Sequence, residues 1–200
     1  MLMNGSRLIG FPILSLHVGG PIAKTARAVV NPDNLKVIAY EIADTGLLDE
    51  EAGNILETRD VREFANIGMI VDSDGVFVSH GEVIKLDKIL DLNFDIIGLK
   101  VETKKGTKLG KVVDYVVDTD TFSILQLVVK RPVVKAIIDP ELVISRKEIV
   151  EVNDYKIIVK DEEDKIRKRA TKEDFVPNFV NPFREPDFST SRIKREKEEG

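Results

Sequence analysis

Ile96–Lys130 reads IIGLKVETKKGTKLGKVVDYVVDTDTFSILQLVVK, and this stretch decides the fold. Apolar residues alternate in VVDYVVD and again in FSILQLVV, the period of a half-buried strand. Gly98, Gly106 and Gly110 punctuate it. Asp118-Thr119-Asp120-Thr121 supplies the turn chemistry between its last two strands. The stretch is predicted to be a β-meander.

The same pattern occurs earlier, in Leu8–Ile42. Gly98 lies 88 positions after Gly10, and Val101 lies 88 after Ile13. Beyond a loop the spacing becomes 87, pairing Ala23 with Gly110, Val30 with Val117, Asp33 with Asp120 and Leu35 with Phe122. A one-residue change between aligned strands is an ordinary loop difference. At the same spacing Ile55–Arg59 aligns with Leu142–Arg146. Each half is expected to end in a hairpin: Met69–Val71 with Val76–Val78 across Asp72-Ser73-Asp74-Gly75, and Ile149–Val152 with Tyr155–Val159 across Asn153-Asp154. About six short strands per half suit a small barrel or sandwich. Between the halves, Ile84, Leu86, Ile89, Leu90 and Leu92 form one face of a short helix, and Asp60–Ala65 reads as a single turn.

Composition narrows the classes. The hydrophobic share of 42% supports a folded core, and the lack of Trp leaves Val, Ile and Leu to fill it. A net charge of −5 gives no broad electrostatic footprint for nucleic acid. The absence of Cys removes disulfides, thiolate nucleophiles and cysteine-based zinc sites, and suits a cytoplasmic location. No apolar run has transmembrane length, so no integral membrane segment is expected. The LIGFPILSL segment after Arg7 has a signal-peptide flavour, but Pro12, His17, Gly19 and Gly20 interrupt it and its counterpart recurs in mid-chain.

Isoleucine-glycine at the first strand, Leu109-Gly110-Lys111-Val112 at the second and Asp118-x-Asp120 in the next turn resemble the PRC-barrel family, in the second half most closely. In the first half Ala23 stands in place of the glycine. The family includes the barrel of the photosynthetic reaction-centre H subunit and the C-terminal domain of the ribosome maturation factor RimM. The resemblance implies a binding or assembly module rather than an enzyme.

The residues that could carry chemistry have plainer readings. Asp72-Ser73-Asp74-Gly75 starts like a calcium loop but lacks the later ligands. Asp114, Asp118 and Asp120 could form an acid pair or hold Mg2+, yet Asn31 and Asp33 occupy the equivalent turn. His17 and His80 sit beside glycines with no triad or metal spacing. Lys165-Ile166-Arg167-Lys168-Arg169 follows four acids and carries no aromatics for base stacking. No catalytic, cofactor or metal residue is assigned. Phe175, Phe179, Phe183 and Phe188 are the partner-binding candidates: aromatic anchors in an extended peptide broken by Pro177, Pro182 and Pro186. They could dock on this chain, on a partner, or not at all.

The expectation is an all-β chain of two tandem small PRC-like β-barrels. Residues 1–80 form the first, 81–93 a short helical linker, 94–160 the second, and 161–200 a charged, flexible tail. The expected function is a non-catalytic adaptor or assembly module acting on a protein partner. The alternative, by analogy, is a ribosome maturation or RNA-processing factor contacting ribosomal protein or RNA. Gly110→Val is expected to cost about 1–3 kcal/mol, and Gly110→Ala less. Partner identity and oligomeric state are not legible.

Overall fold

The computed structural model describes residues 1–44, 53–132 and 140–161. Its regular structure is mainly strand: β1 Leu2–Asn4, β2 Pro12–Ser15, β3 Gly20–Asn31, β4 Lys36–Asp44, β5 Ile55–Glu57, β6 Glu63–Ala65, β7 Gly68–Val71, β8 Lys100–Thr103, β9 Lys108–Asp118, β10 Ser123–Lys130, β11 Glu141–Ser145, β12 Ile149–Val152 and β13 Lys156–Val159. The one α-helix among the described residues is α1, Ile84–Leu90.

Pairing follows one pattern in each half. The first runs β5-β4-β3-β2-β7-β6 and the second β11-β10-β9-β8-β13-β12. All neighbours are antiparallel except β2 with β7 and β8 with β13, which pair in parallel with Ile13 opposite Met69 and Val101 opposite Ile157. The β3–β4 register reappears 87 positions later in β9–β10: Ala28 faces Tyr40, and Tyr115 faces Leu127. Both pairs carry a bulge at the same point, leaving Ala26 and Val113 as the extra residue. The sheet is continuous through one β4–β10 contact, Lys36 with Ser123, and its path is open at both ends.

Inward residues of both halves merge into one core. Leu8, Ile13, Tyr40, Leu56, Met69, Ile96, Val101, Ile124, Leu127, Ile144 and Ile157 are fully buried in it. The β3–β4 and β9–β10 turns meet by a reciprocal exchange. Val37 N–H donates to Phe122 O at 2.9 Å, and Ile124 N–H donates to Leu35 O at 2.9 Å. Leu35 and Phe122 both take left-handed φ values, 46° and 52°, which apolar side chains rarely adopt.

Several local expectations are corrected. Asp72–Gly75 is not a hairpin turn. Asp74–Val76 is a 3-10 turn in which Ser73 Oγ accepts from Gly75 N–H, and the chain continues so as to bury Phe77. The closing hairpin is β6–β7, across Asn66-Ile67. Asp60–Ala65 is accordingly the end of a 3-10 turn, Thr58–Asp60, followed by strand β6. From β5 onward the spacing between halves returns to 88: Leu56 faces Tyr40 as Ile144 faces Leu127. Thr58 thus corresponds to Arg146. Of the expected helix face only Leu86 is fully buried, packing with Val29, Ala39 and Ile55, while Ile84 and Leu92, the latter beyond α1, are exposed. The N-terminal segment, expected in the first half, pairs with the second: β1 lies antiparallel to β9, and Ser6 donates to Asp114 from N–H at 3.0 Å and Oγ at 2.6 Å. Tyr115 lies so close over Gly5 that no side chain would fit there.

Candidate functional site

A recess of about 820 Å³ is walled by β4, the Thr58–Asp60 turn, β6 and the β9–β10 turn. Val37, Ile38, Thr58, Val61, Phe64 and Phe122 form its walls, and Phe64 meets Phe122 edge-on at 6.4 Å. Its ionisable groups balance. Glu57, Glu63 and Asp120 face Lys36, Arg59 and Arg62. Arg59 donates to buried Glu57 at 2.6 Å, and Arg62 pairs with Asp72 outside the recess.

The equivalent place in the second half is plugged. Arg146 is half-buried and turned onto backbone carbonyls. Its Nη1 donates to Leu35 O at 3.2 Å and Ile124 O at 3.3 Å, and its Nη2 donates to Asn34 O. In the first half the short Thr58 hydroxyl stands there instead, 3.1 Å from Val37 O and 3.1 Å from Ile38 O. Val37 is the counterpart of Ile124, and Phe122 and Thr121 are the counterparts of Leu35 and Asn34.

Two other surfaces stand out. A groove of about 340 Å³ runs along the join of the halves, between Gly5–Ile9, the bulge at Ala26, and Ile97 and Val113. Ile9 is 46% exposed, Ile97 41% and Val113 40%. On the outer face of the second half, Lys100 lies directly opposite Lys111, and Lys111 opposite Lys130. All three are exposed, beside a recess of about 700 Å³ that Lys108 also lines. Like charges facing each other across strands are destabilising. The first half has Pro12, Lys24 and Ala43 at these points.

The expected candidates fare unevenly. Phe175, Phe179, Phe183 and Phe188 lie outside the described residues, as does Lys165–Arg169. The Asp118–Thr121 segment is a turn: Asp118 accepts from Thr121 Oγ1 at 2.9 Å, the chief reason its carboxyl sits below the ordinary range. His80 lies 3.4 Å from Asp91 and 3.8 Å from Asp87 at the surface. Among the described residues no group of three or more His, Asp or Glu could hold a metal ion. Arg59 and Arg62 line the recess together but pair with Glu57 and Asp72, and Arg146 is turned onto backbone carbonyls. Neither the lysine row nor the recess was legible as a motif. The row depends on register, and the recess on the step from 87 back to 88.

Each half thus holds six strands, with two long antiparallel neighbours and a parallel contact between the first and last. Residues 92–174 match the PRC-barrel domain, and the chain carries a domain of that family. No curated protein matches the chain. No described helix is long and apolar enough to cross a membrane.

Proposed function

We propose that the chain is two PRC-like barrels in tandem, the first within residues 1–80 and the second within 94–160, linked through α1. In this reading it serves as a non-catalytic adaptor or assembly module in the cytoplasm. The observation that carries it is the groove at the join. There a β-bulge in each half turns one residue out, Ala26 and Val113, beside the paired positions Ile9 and Ile97. Bulges that re-aim side chains next to a shared apolar groove suit protein contact. Phe175, Phe179, Phe183 and Phe188 would add tethered anchors, each worth about 1.5–3 kcal/mol when buried. The test compares proteins cross-linked in native cells to wild type, to the Ile9→Asp/Ile97→Asp/Val113→Asp variant and to the Phe175→Ala/Phe179→Ala/Phe183→Ala variant. Loss of the same partner from the groove variant supports the reading. An unchanged partner set in both variants refutes it.

The lysine row favours a second reading, contact with ribosomal RNA. Phosphates would relieve the Lys100–Lys111–Lys130 repulsion, and each phosphate neutralised steepens the salt dependence. Binding of a single-stranded RNA that weakens steeply with salt, and is lost in Lys111→Glu, would support it.

A further inference from the structure

The two halves offer the same backbone to different occupants. In the second, the β3–β4 turn and the start of β10 aim the carbonyls of Asn34, Leu35 and Ile124 at one point, and the Arg146 guanidinium fills it. In the first, Thr121, Phe122 and Val37 hold the corresponding positions. The reciprocal Val37–Phe122 and Ile124–Leu35 hydrogen bonds hold the two turns in matching geometry. Each carbonyl oxygen has two lone pairs, so Leu35 O accepts from both Ile124 N–H and Arg146 Nη1. Phe122 O accepts from Val37 N–H and retains the same second capacity. Thr58 is too short to reach the turn, and the recess of about 820 Å³ remains open there.

We propose that this recess receives the side chain of an arginine from a partner protein. The proposal rests on the adaptor reading and names the chemistry of one contact. A planar guanidinium with five donors suits several convergent carbonyls, whereas an ammonium is a compact, strongly hydrated point charge. Val61, Phe64 and Phe122 offer an apolar bed for the aliphatic stem and a ring face for the guanidinium. The ionisable lining is balanced, with Glu57, Glu63 and Asp120 against Lys36, Arg59 and Arg62. Selectivity therefore comes from carbonyl geometry rather than net charge, and the interaction persists at moderate salt.

The experiment titrates the isotopically labelled full chain with N-acetyl-arginine amide and with N-acetyl-lysine amide, reading backbone amide shifts. Saturable shifts at Ile38, Thr58, Thr121 and Phe122 are expected with arginine, in the millimolar range of a single anchored side chain, and roughly tenfold weaker with lysine. Thr58→Arg supplies the guanidinium from within the chain. It should abolish the arginine response and raise the melting temperature. Arg146→Thr should open the other recess and add a second set of shifts at Asn34, Leu35 and Ile124. Equal responses to arginine and lysine, shifts elsewhere only, or an undiminished response in Thr58→Arg would overturn the proposal. Such a failure beside an intact groove-dependent partner would leave the adaptor reading standing.

Discussion

Thr58 and Arg146 stand 88 positions apart, at the start of matching 3-10 turns. One bonds carbonyls of the neighbouring strand β4 and leaves a recess. The other reaches across to the opposite turn and closes one. The strand order, the registers and even the left-handed Leu35 and Phe122 are the same around both. What varies is the side chain placed on that frame, so the half with the hole is where a ligand is to be sought. The lysine row teaches the same lesson on the other half. Lys100 and Lys130 stand where the first half has Pro12 and Ala43, on either side of Lys111, whose counterpart Lys24 is also a lysine.

Substitutions at paired positions can break or sharpen this comparison. The largest effect is expected at Gly110. Its φ is 150°, and an added Cβ would overlap the Lys130 carbonyl oxygen, a backbone atom that cannot step aside. Contrary to the milder expectation from sequence, Gly110→Ala should itself cost about 3–5 kcal/mol in chemical denaturation. Its counterpart Ala23 keeps a negative φ, so Ala23→Gly should cost only about 1 kcal/mol. Similar losses at both would mean that the two positions are not distinct.

Arg146→Ala comes next. It removes a charged donor from half-buried carbonyls and should cost about 1.5–3 kcal/mol, whereas Thr58→Ala should cost about 0.5–1.5 kcal/mol. Equal costs in urea unfolding would contradict the plug. A gain is expected at Tyr40, whose fully buried Oη has no hydrogen-bond partner among the described residues. Burial pushes that phenol's pKa well up. Its counterpart in the second half, Leu127, is apolar. Tyr40→Phe should therefore add about 1 kcal/mol, read as a higher denaturation midpoint.

The smallest effect is electrostatic. Hydrogen bonding from Arg27 lowers the Glu41 pKa from 4.5, while the second half has Asp114 and Val128 at these positions. A lowered folded-state value stabilises above the unfolded pKa and is lost as pH falls through the folded one. Stability should thus drop below about pH 4.5, by less than about 1 kcal/mol for so exposed a pair. Glu41→Gln should flatten that part of the profile.

Much of this was legible in the residues. Alternation in VVDYVVD and FSILQLVV, the Asp118–Thr121 turn and the glycines located β9 and β10 and pointed to the PRC-barrel family. The hairpin signal at Asp74-Gly75 misled, because burying Phe77 outweighed a local turn preference and Asn66-Ile67 closed the hairpin instead. The left-handed Leu35 and Phe122 could not be read from side chains that disfavour that conformation. Tertiary hydrogen bonds between the turns hold them there. Nothing in the sequence marked Arg146 as a plug, since its contacts with Asn34, Leu35 and Ile124 come from the tertiary fold.

Amide hydrogen exchange at Val37 and Ile124 tests most directly that matching turns hold the halves face to face. Both amides should be protected to the same degree, close to the slowest exchangers of the core, because each donates to the opposite turn. Rapid exchange at Val37 beside a protected Ile124 would contradict the reciprocal frame on which the comparison stands.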